Sequence, residues 1–122
     1  MPTEPNPVTL AQIVHRAGEV VDPQGSDAEI SDFVVRFEDD DEPVTAVEDV
    51  EERIAETAGA IDPQQESGPV QVAAAVATYL AFRRDETGGE PDELVRLAVR
   101  AEFDGKPPKP VSKWLELNEI EV

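Results

Sequence analysis

The stretch Val70–Phe82, VQVAAAVATYLAF, is the most apolar part of this chain, and only Gln71 and Thr78 interrupt it with polar side chains. A helix that is apolar on nearly every side is stable in water only when other elements cover it all round. At about 1.5 Å per residue, the stretch is shorter than a bilayer core of about 30 Å. The sequence therefore predicts a buried central helix over about residues 69–84 and no membrane span.

The chain has the length and composition of one globular domain. Its 122 residues include 39% apolar side chains, which supports a packed core. There is no cysteine, so disulfides and thiolate chemistry are excluded. The N-terminal sequence lacks the basic segment and apolar run of a signal peptide, and we expect a cytoplasmic protein.

Acidic residues dominate the surface chemistry. Twenty-eight Asp and Glu residues against ten Lys and Arg residues give a formal net charge of −18. Such a surface repels nucleic-acid phosphates, so binding to DNA or RNA is disfavoured. An acid-rich, lysine-poor composition is also typical of salt adaptation, in which case the charge carries no information about function.

Amphipathic segments flank the central stretch. Capping boxes, in which Ser or Thr is followed three residues later by Gln or Glu, predict helix starts at Thr9, Ser26 and Thr45. Glycine C-caps predict that the first of these helices ends near Ala17 and that the third ends at Gly59.

The remaining boundaries follow from charge and proline. The five carboxylates at 38–42 are disfavoured at a helix C-terminus, so the second helix should end by about Glu38 and the acidic run should be a solvated loop. Pro91 and the two acidic residues after it predict another helix start. The predicted buried face of that helix comprises Leu94, Leu97, Ala98 and Ala101.

A short sequence recurs along the chain. AGEVVDPQ at 17–24 is echoed by AGAIDPQ at 58–64, one residue shorter, and each copy separates two helical patterns. We interpret this as two helix–link–helix units in a pseudo-repeat, since two copies are too few for a solenoid. Chance recurrence of a common connector is the alternative. The predicted fold is all-α, a compact bundle of five to six helices around the central one.

The chain is expected to divide into three parts. Residues 1–8 form a flexible lead-in, 9–103 a helical domain, and 104–122 a proline-rich strap and C-terminal tail packed on that domain. The strap at 106–110 should be extended. Helical spacing in the tail favours a short helix near 111–118, although alternation at its end also fits a strand.

Sequence motifs for catalysis are scarce. His15 is the only histidine, and there is no glycine-rich phosphate loop and no serine nucleophile elbow. We therefore expect no catalytic residues, no cofactor and no metal site, and lean toward a protein that is not an enzyme.

One acidic motif has a counterpart among known enzymes. Glu48, Asp49 and Glu52 resemble the first acidic motif of the all-α nucleotide pyrophosphatases of the MazG type. Those enzymes need a second Glu-x-x-Asp pair on a later helix, and here that spacing occurs only earlier, at 29–32 and 38–41. A hydrolase that uses helix carboxylates with Mg²⁺ or Mn²⁺ is kept as one alternative.

The leading hypothesis is a non-catalytic helical protein that works through protein contacts, as a homodimer or with a protein partner. Its bulky apolar residues exceed what five helices are expected to bury, and unburied patches mark interfaces. Arg96 and Arg100 share one face that could dock on the acidic third helix, within the chain or across a dimer. The possible interaction surface comprises Phe37, Tyr79, Phe82, Arg96, Arg100 and Trp114.

A DNA-related regulator is the other alternative, in two opposed forms. A helix-turn-helix protein would bind DNA through a local basic face of Arg83, Arg84, Arg96 and Arg100. An acidic DNA mimic would instead place the carboxylates of 38–56 in the DNA groove of a partner.

Overall fold

Six helices make up the described part of the chain. The computed structural model describes residues 9–40, 42–43, 48–83 and 90–121, so the predicted lead-in at 1–8 lies outside it. The helices are α1 (Leu10–Val21), α2 (Ala28–Val35), α3 (Val50–Ile61), α4 (Gly68–Arg83), α5 (Pro91–Phe103) and α6 (Lys109–Leu117). These residues contain no β-strand, and a single bridge joins Thr9 to Pro43. The predicted all-α fold is confirmed.

Helix α4 is the centre of the bundle and packs against all five other helices. Most of its described apolar side chains are buried, among them Val72, Val76 and Leu80, and the others pack against the core. Alanines between these bulky residues allow the neighbouring helices to approach closely. The central helix predicted at about 69–84 is therefore confirmed. Within the described ranges, no helix has the length and apolar character needed to cross a membrane.

The first predicted capping box is present at the start of α1. Thr9 Oγ1 accepts the Gln12 N–H at 3.2 Å, and the Gln12 side chain accepts the Thr9 N–H at 2.9 Å. The acidic run satisfies two further N–H groups, because the backbone carbonyls of Glu42 and Asp40 accept from Leu10 and Ala11 at 3.2 and 3.1 Å. These carbonyls therefore supply acceptors for N–H groups that the first turn of a helix leaves unpaired.

Two other predicted helix starts differ. The Ser26 capping box is wrong, because Asp27 is the N-cap of α2 and its carboxylate accepts from the Glu29 and Ile30 N–H groups at 2.9 and 3.3 Å. Thr45 lies outside the described residues, and α3 begins only at Val50. The start of α5 at Pro91 is confirmed.

The two glycines predicted as C-caps lie inside helices. Helix α1 continues past Gly18 to Val21, and α3 continues past Gly59 to Ile61. Gly18 is buried where α1 meets α2, and a Cβ there would lie 2.6 Å from Val34 Cγ2. At Gly59 a Cβ would meet nothing within 4 Å. Close helix packing therefore explains Gly18, and neither glycine ends its helix.

An aspartate ends each of these helices in the same geometry. Asp22 (φ −136°, ψ 71°) follows α1, and Asp62 (φ −132°, ψ 69°) follows α3. Each donates its N–H to the carbonyl four residues earlier at 2.8 Å. Each carboxylate then accepts the backbone N–H groups four and five residues later, at 3.1 and 2.8 Å for Asp22 and at 2.9 and 2.9 Å for Asp62.

The pseudo-repeat is thus a structural repeat with a register of 40 residues, in which Asp22 matches Asp62. Matching the sequence on its Ala-Gly pairs instead gives an offset of 41, which wrongly equates the two glycines. In the structure the counterpart of Gly18 is Ala58. One unit is α1, link and α2, and the other is α3, link and α4.

The last two helices require smaller corrections. The buried face of α5 comprises Leu94, Val95, Ala98 and Val99, whereas Leu97 is half-buried and Ala101 is exposed. Helix α6 begins at Lys109, inside the strap expected to be extended, because proline is tolerated in the first turn of a helix. Its predicted helical character is confirmed, and it packs on α4.

Candidate interaction grooves

Phe37, the first residue of the predicted interaction surface, lies in the core. It is only 2% exposed and packs edge-on against Phe33, with ring centroids 5.5 Å apart. It follows the last turn of α2 and returns toward the centre of the bundle. Its burial removes it from the accessible surface of the chain.

The other predicted aromatic residues do not form one patch. Tyr79 and Trp114 are half-buried and pack against the core. Trp114 lies beside Gly68 at the start of α4, whereas Tyr79 lies eleven residues further along that helix, about 16 Å away along its axis. The side chain of Phe82 lies outside the described part of the chain.

Arg96 binds groups other than the acidic third helix. Its guanidinium donates to Glu93 Oε2 at 2.6 Å and to the Glu121 carbonyl at 2.7 Å, which ties the C-terminal segment to α5. Arg100 is exposed. Among the described residues, neither arginine forms an ion pair with α3. The predicted docking of this face on α3 within one chain is therefore not observed.

The expected surplus of unburied apolar residues is largely absent. In the described part, only two large apolar side chains are exposed, Val35 at 59% and Leu117 at 74%. Most of the other bulky apolar residues that the structure describes pack into or against one core. Support for an interaction role must therefore come from the shape and charge of the surface.

The acidic motif that resembles the pyrophosphatases does not lie on one helix. Glu48 and Asp49 precede α3, and Asp49 adopts a left-handed conformation with φ 58°. The prediction that this motif is helical is wrong in its first two positions. Within the described ranges, no group of three or more His, Cys, Asp or Glu residues is placed to hold a metal ion.

A groove lies between α3 and α4, and residues of α5 also line it. It has a volume of about 470 Å³. Small side chains on the facing surfaces of α3 and α4 leave this space open, and Ile54, Val70 and Phe103 add apolar surface. The small lining residues are Ala55, Ala58, Gly59, Ala74 and Ala75. We call this feature the α3–α4 groove.

Among the lining residues that the structure describes, carboxylates supply all the charge of the α3–α4 groove. These residues are Glu51, Glu52, Asp62 and Glu102, and no described Lys or Arg lines it. The Asp62 carboxylate is occupied by the link, because it accepts two backbone N–H groups. The three glutamates form no ion pair with any described residue. They give the rim of the groove an uncompensated negative charge.

A second groove lies between α1 and α2, and we call it the α1–α2 groove. Its volume is about 370 Å³. His15, Glu19, Asp22, Val34 and Val35 are among its lining residues, and the described part of its lining contains no Lys or Arg. His15 Nε2 lies 3.7 Å from the Glu19 carboxylate, and both side chains are more than half exposed.

No family model, curated protein or solved structure matches this chain. Its function is therefore inferred from the two grooves and the charge around them. None of the predicted interaction residues whose side chains are described lines either groove. The recurrence of Asp-Pro at 22–23 and 62–63 was the sequence signal that indicated the repeated helix pairs.

Proposed function

We propose that this chain is a non-catalytic helical module that binds a partner protein, and that the partner inserts a basic amphipathic segment into the α3–α4 groove. The observation that carries this proposal is the combination of an open apolar floor with a rim of unpaired carboxylates. The protein contact expected from the sequence is thereby assigned to a definite surface, which differs from the one first predicted.

The shape of the groove suits apolar side chains of a partner. A volume of about 470 Å³ lies within the range of about 300–1,000 Å³ that is typical of binding clefts. An amphipathic helix places anchors at i, i+3, i+4 and i+7 into such a groove. Ala55, Ala58 and Ala74 have short side chains, so larger apolar side chains of a ligand can enter between α3 and α4.

Charge selects the class of ligand. Glu51, Glu52 and Glu102 face a ligand in the groove, and lysines or arginines flanking its apolar anchors would neutralise them. A second copy of this chain is a poor occupant, because two molecules with a net charge of −18 repel each other. This favours a basic partner over the homodimer considered from the sequence.

The proposal is tested with a designed probe, a fluorescein-labelled sixteen-residue helical peptide with Leu at i, i+3, i+4 and i+7 and Lys on the opposite face. A scrambled peptide of the same composition is the control for attraction between net charges. Fluorescence anisotropy at low salt should show tighter binding of the amphipathic peptide. Equal binding of both peptides would contradict a shaped site.

Matched variants locate the binding surface. Ala55 is exposed and lines the groove, whereas Ala60 is exposed on the same helix and does not line it. Ala55→Trp fills the groove without changing charge and should weaken binding of the amphipathic peptide about tenfold or more, the effect of losing a main anchor. Ala60→Trp should leave binding unchanged, and an equal loss in both variants would place the site elsewhere.

A further inference from the structure

We infer that the α1–α2 groove is a second site for the same class of basic amphipathic segment, so that one chain holds two such segments. This inference rests on the proposed function of the α3–α4 groove. It follows from the internal repeat, which reproduces the groove as well as the helices and the link.

The two grooves are built from equivalent positions. Of the eleven described residues that line the α1–α2 groove, nine have a counterpart 40 positions later that lines the α3–α4 groove. The matched pairs include His15 with Ala55 and Asp22 with Asp62. The common register and the common link geometry place both grooves on the same side of their helix pairs.

The side chains at two matched positions of the groove floor differ in size between the two units, and the two differences partly offset each other. Gly18 in the first unit corresponds to Ala58 in the second, and Val34 corresponds to Ala74. The missing side chain at Gly18 admits the larger Val34, whose Cγ2 would lie 2.6 Å from a Cβ at position 18. The α1–α2 groove is consequently smaller, at about 370 Å³ against about 470 Å³, but remains open.

Val35 gives the α1–α2 groove an apolar contact point of its own. It lines the groove and is 59% exposed, whereas its counterpart Ala75 is 2% exposed. An exposed valine beside a concave surface is favourable when a ligand covers it, because burial removes apolar area from water.

Charge complementarity identifies the ligand as basic. Of the lining residues that the structure describes, Glu19 and Asp22 are the acidic ones, and none is Lys or Arg. Because the Asp22 carboxylate is held by the link, Glu19 is the one other described carboxylate in this groove, whereas three glutamates line the α3–α4 groove. The second site should therefore bind the same peptide more weakly. A second copy of the chain is again disfavoured by a net charge of −18.

Titration of the unmodified protein with the amphipathic peptide tests the inference. Isothermal titration calorimetry at low salt should show two bound peptides per chain, one tight and one weaker. His15 is the counterpart of Ala55 in the repeat. The His15→Trp variant should lose only the weaker peptide-binding event, whereas the Ala55→Trp variant should lose only the tighter one. His15 is 69% exposed, so this substitution leaves the core intact.

A second variant tests the apolar contact without adding bulk. Val35→Thr keeps the shape of the exposed side chain and should weaken the weak event about threefold or more, as expected for losing part of an apolar anchor. The titration could instead show one binding event that is lost in Ala55→Trp and unchanged in His15→Trp and Val35→Thr. This result would overturn the inference and leave the proposed function standing. No event with the amphipathic peptide would overturn both.

Discussion

Gly68 lies where the first turn of α4 meets α6, and its missing side chain allows the two helices to touch. A Cβ at this position would overlap the carbonyl oxygen of Pro110 and lie 2.9 Å from the Cβ of Trp114. Neither neighbour is the flexible end of a side chain. Gly68→Ala should therefore lower the free energy of unfolding by about 1–3 kcal/mol, as overpacking does. Urea denaturation followed by circular dichroism measures this.

Gly59→Ala is the matched control for that substitution. Gly59 lies within α3, and a Cβ there would meet nothing within 4 Å. Alanine in an exposed helix interior is more favourable than glycine by about 0.5–1 kcal/mol, so this variant should be more stable than the natural chain. Destabilisation of similar size in both variants would show that the contact with α6 is not the cause.

The role of each glycine could not be predicted from its local sequence. Gly18 and Gly59 both follow an alanine and both precede an Asp-Pro pair, yet only Gly18 is needed for a close helix contact. The deciding neighbour of Gly18 is Val34, which lies on another helix. Tertiary packing of this kind is not encoded in the residues beside the glycine.

At the scale of elements, the link after α3 depends on one carboxylate. Asp62 is 8% exposed and accepts the N–H groups of Glu66 and Ser67, both at 2.9 Å. Asp62→Ala leaves two partly buried donors without this acceptor and should cost about 1–3 kcal/mol of stability. Hydrogen exchange should accelerate at those two amides. The measurements are urea denaturation and amide exchange by NMR.

Glu66→Ala is the control within the same link. Its side chain is exposed, so stability should change by less than about 0.5 kcal/mol. A loss in Glu66→Ala as large as that in Asp62→Ala would mean that the link responds to charge alone. In that case the carboxylate hydrogen bonds would not be its main support.

Much of the element order was predictable, because hydrophobic periodicity and capping residues act locally. The central helix, the Thr9 cap and the Pro91 start all follow from short patterns. The grooves were not predictable in the same way. Each requires two helices to pack at a defined register, and the correct register follows from Asp22 and Asp62, not from the Ala-Gly pairs. Within the predicted interaction surface, the burial of Phe37 and the hydrogen bond from Arg96 to the Glu121 carbonyl depend on tertiary contacts that the neighbouring residues in the sequence do not specify.

At the scale of the whole molecule, the spacing of charge sets the response to salt. The accessible surface of 7562 Å² divided among 18 net negative charges gives about 420 Å² for each, or a spacing of about 20 Å. The Debye length is about 30 Å at 0.01 M ionic strength and about 3 Å at 1 M. Repulsion between charges is therefore felt across the surface at low salt and is screened at high salt.

Salt should consequently have opposite effects on folding and on binding. Added NaCl relieves self-repulsion and should raise the thermal unfolding midpoint, by about 4 °C for each kcal/mol of repulsion removed. The same screening weakens attraction between the carboxylate rim of the α3–α4 groove and a basic peptide, so affinity should fall over the same range. Calorimetric melting and fluorescence anisotropy from 0.01 to 1 M NaCl measure the two responses.

KCl is the control, because screening depends on ionic strength and not on which monovalent cation is present. A melting midpoint that rises with only one of the two salts would indicate specific cation binding, and an affinity that does not fall with salt would show that the carboxylate rim does not recognise the peptide.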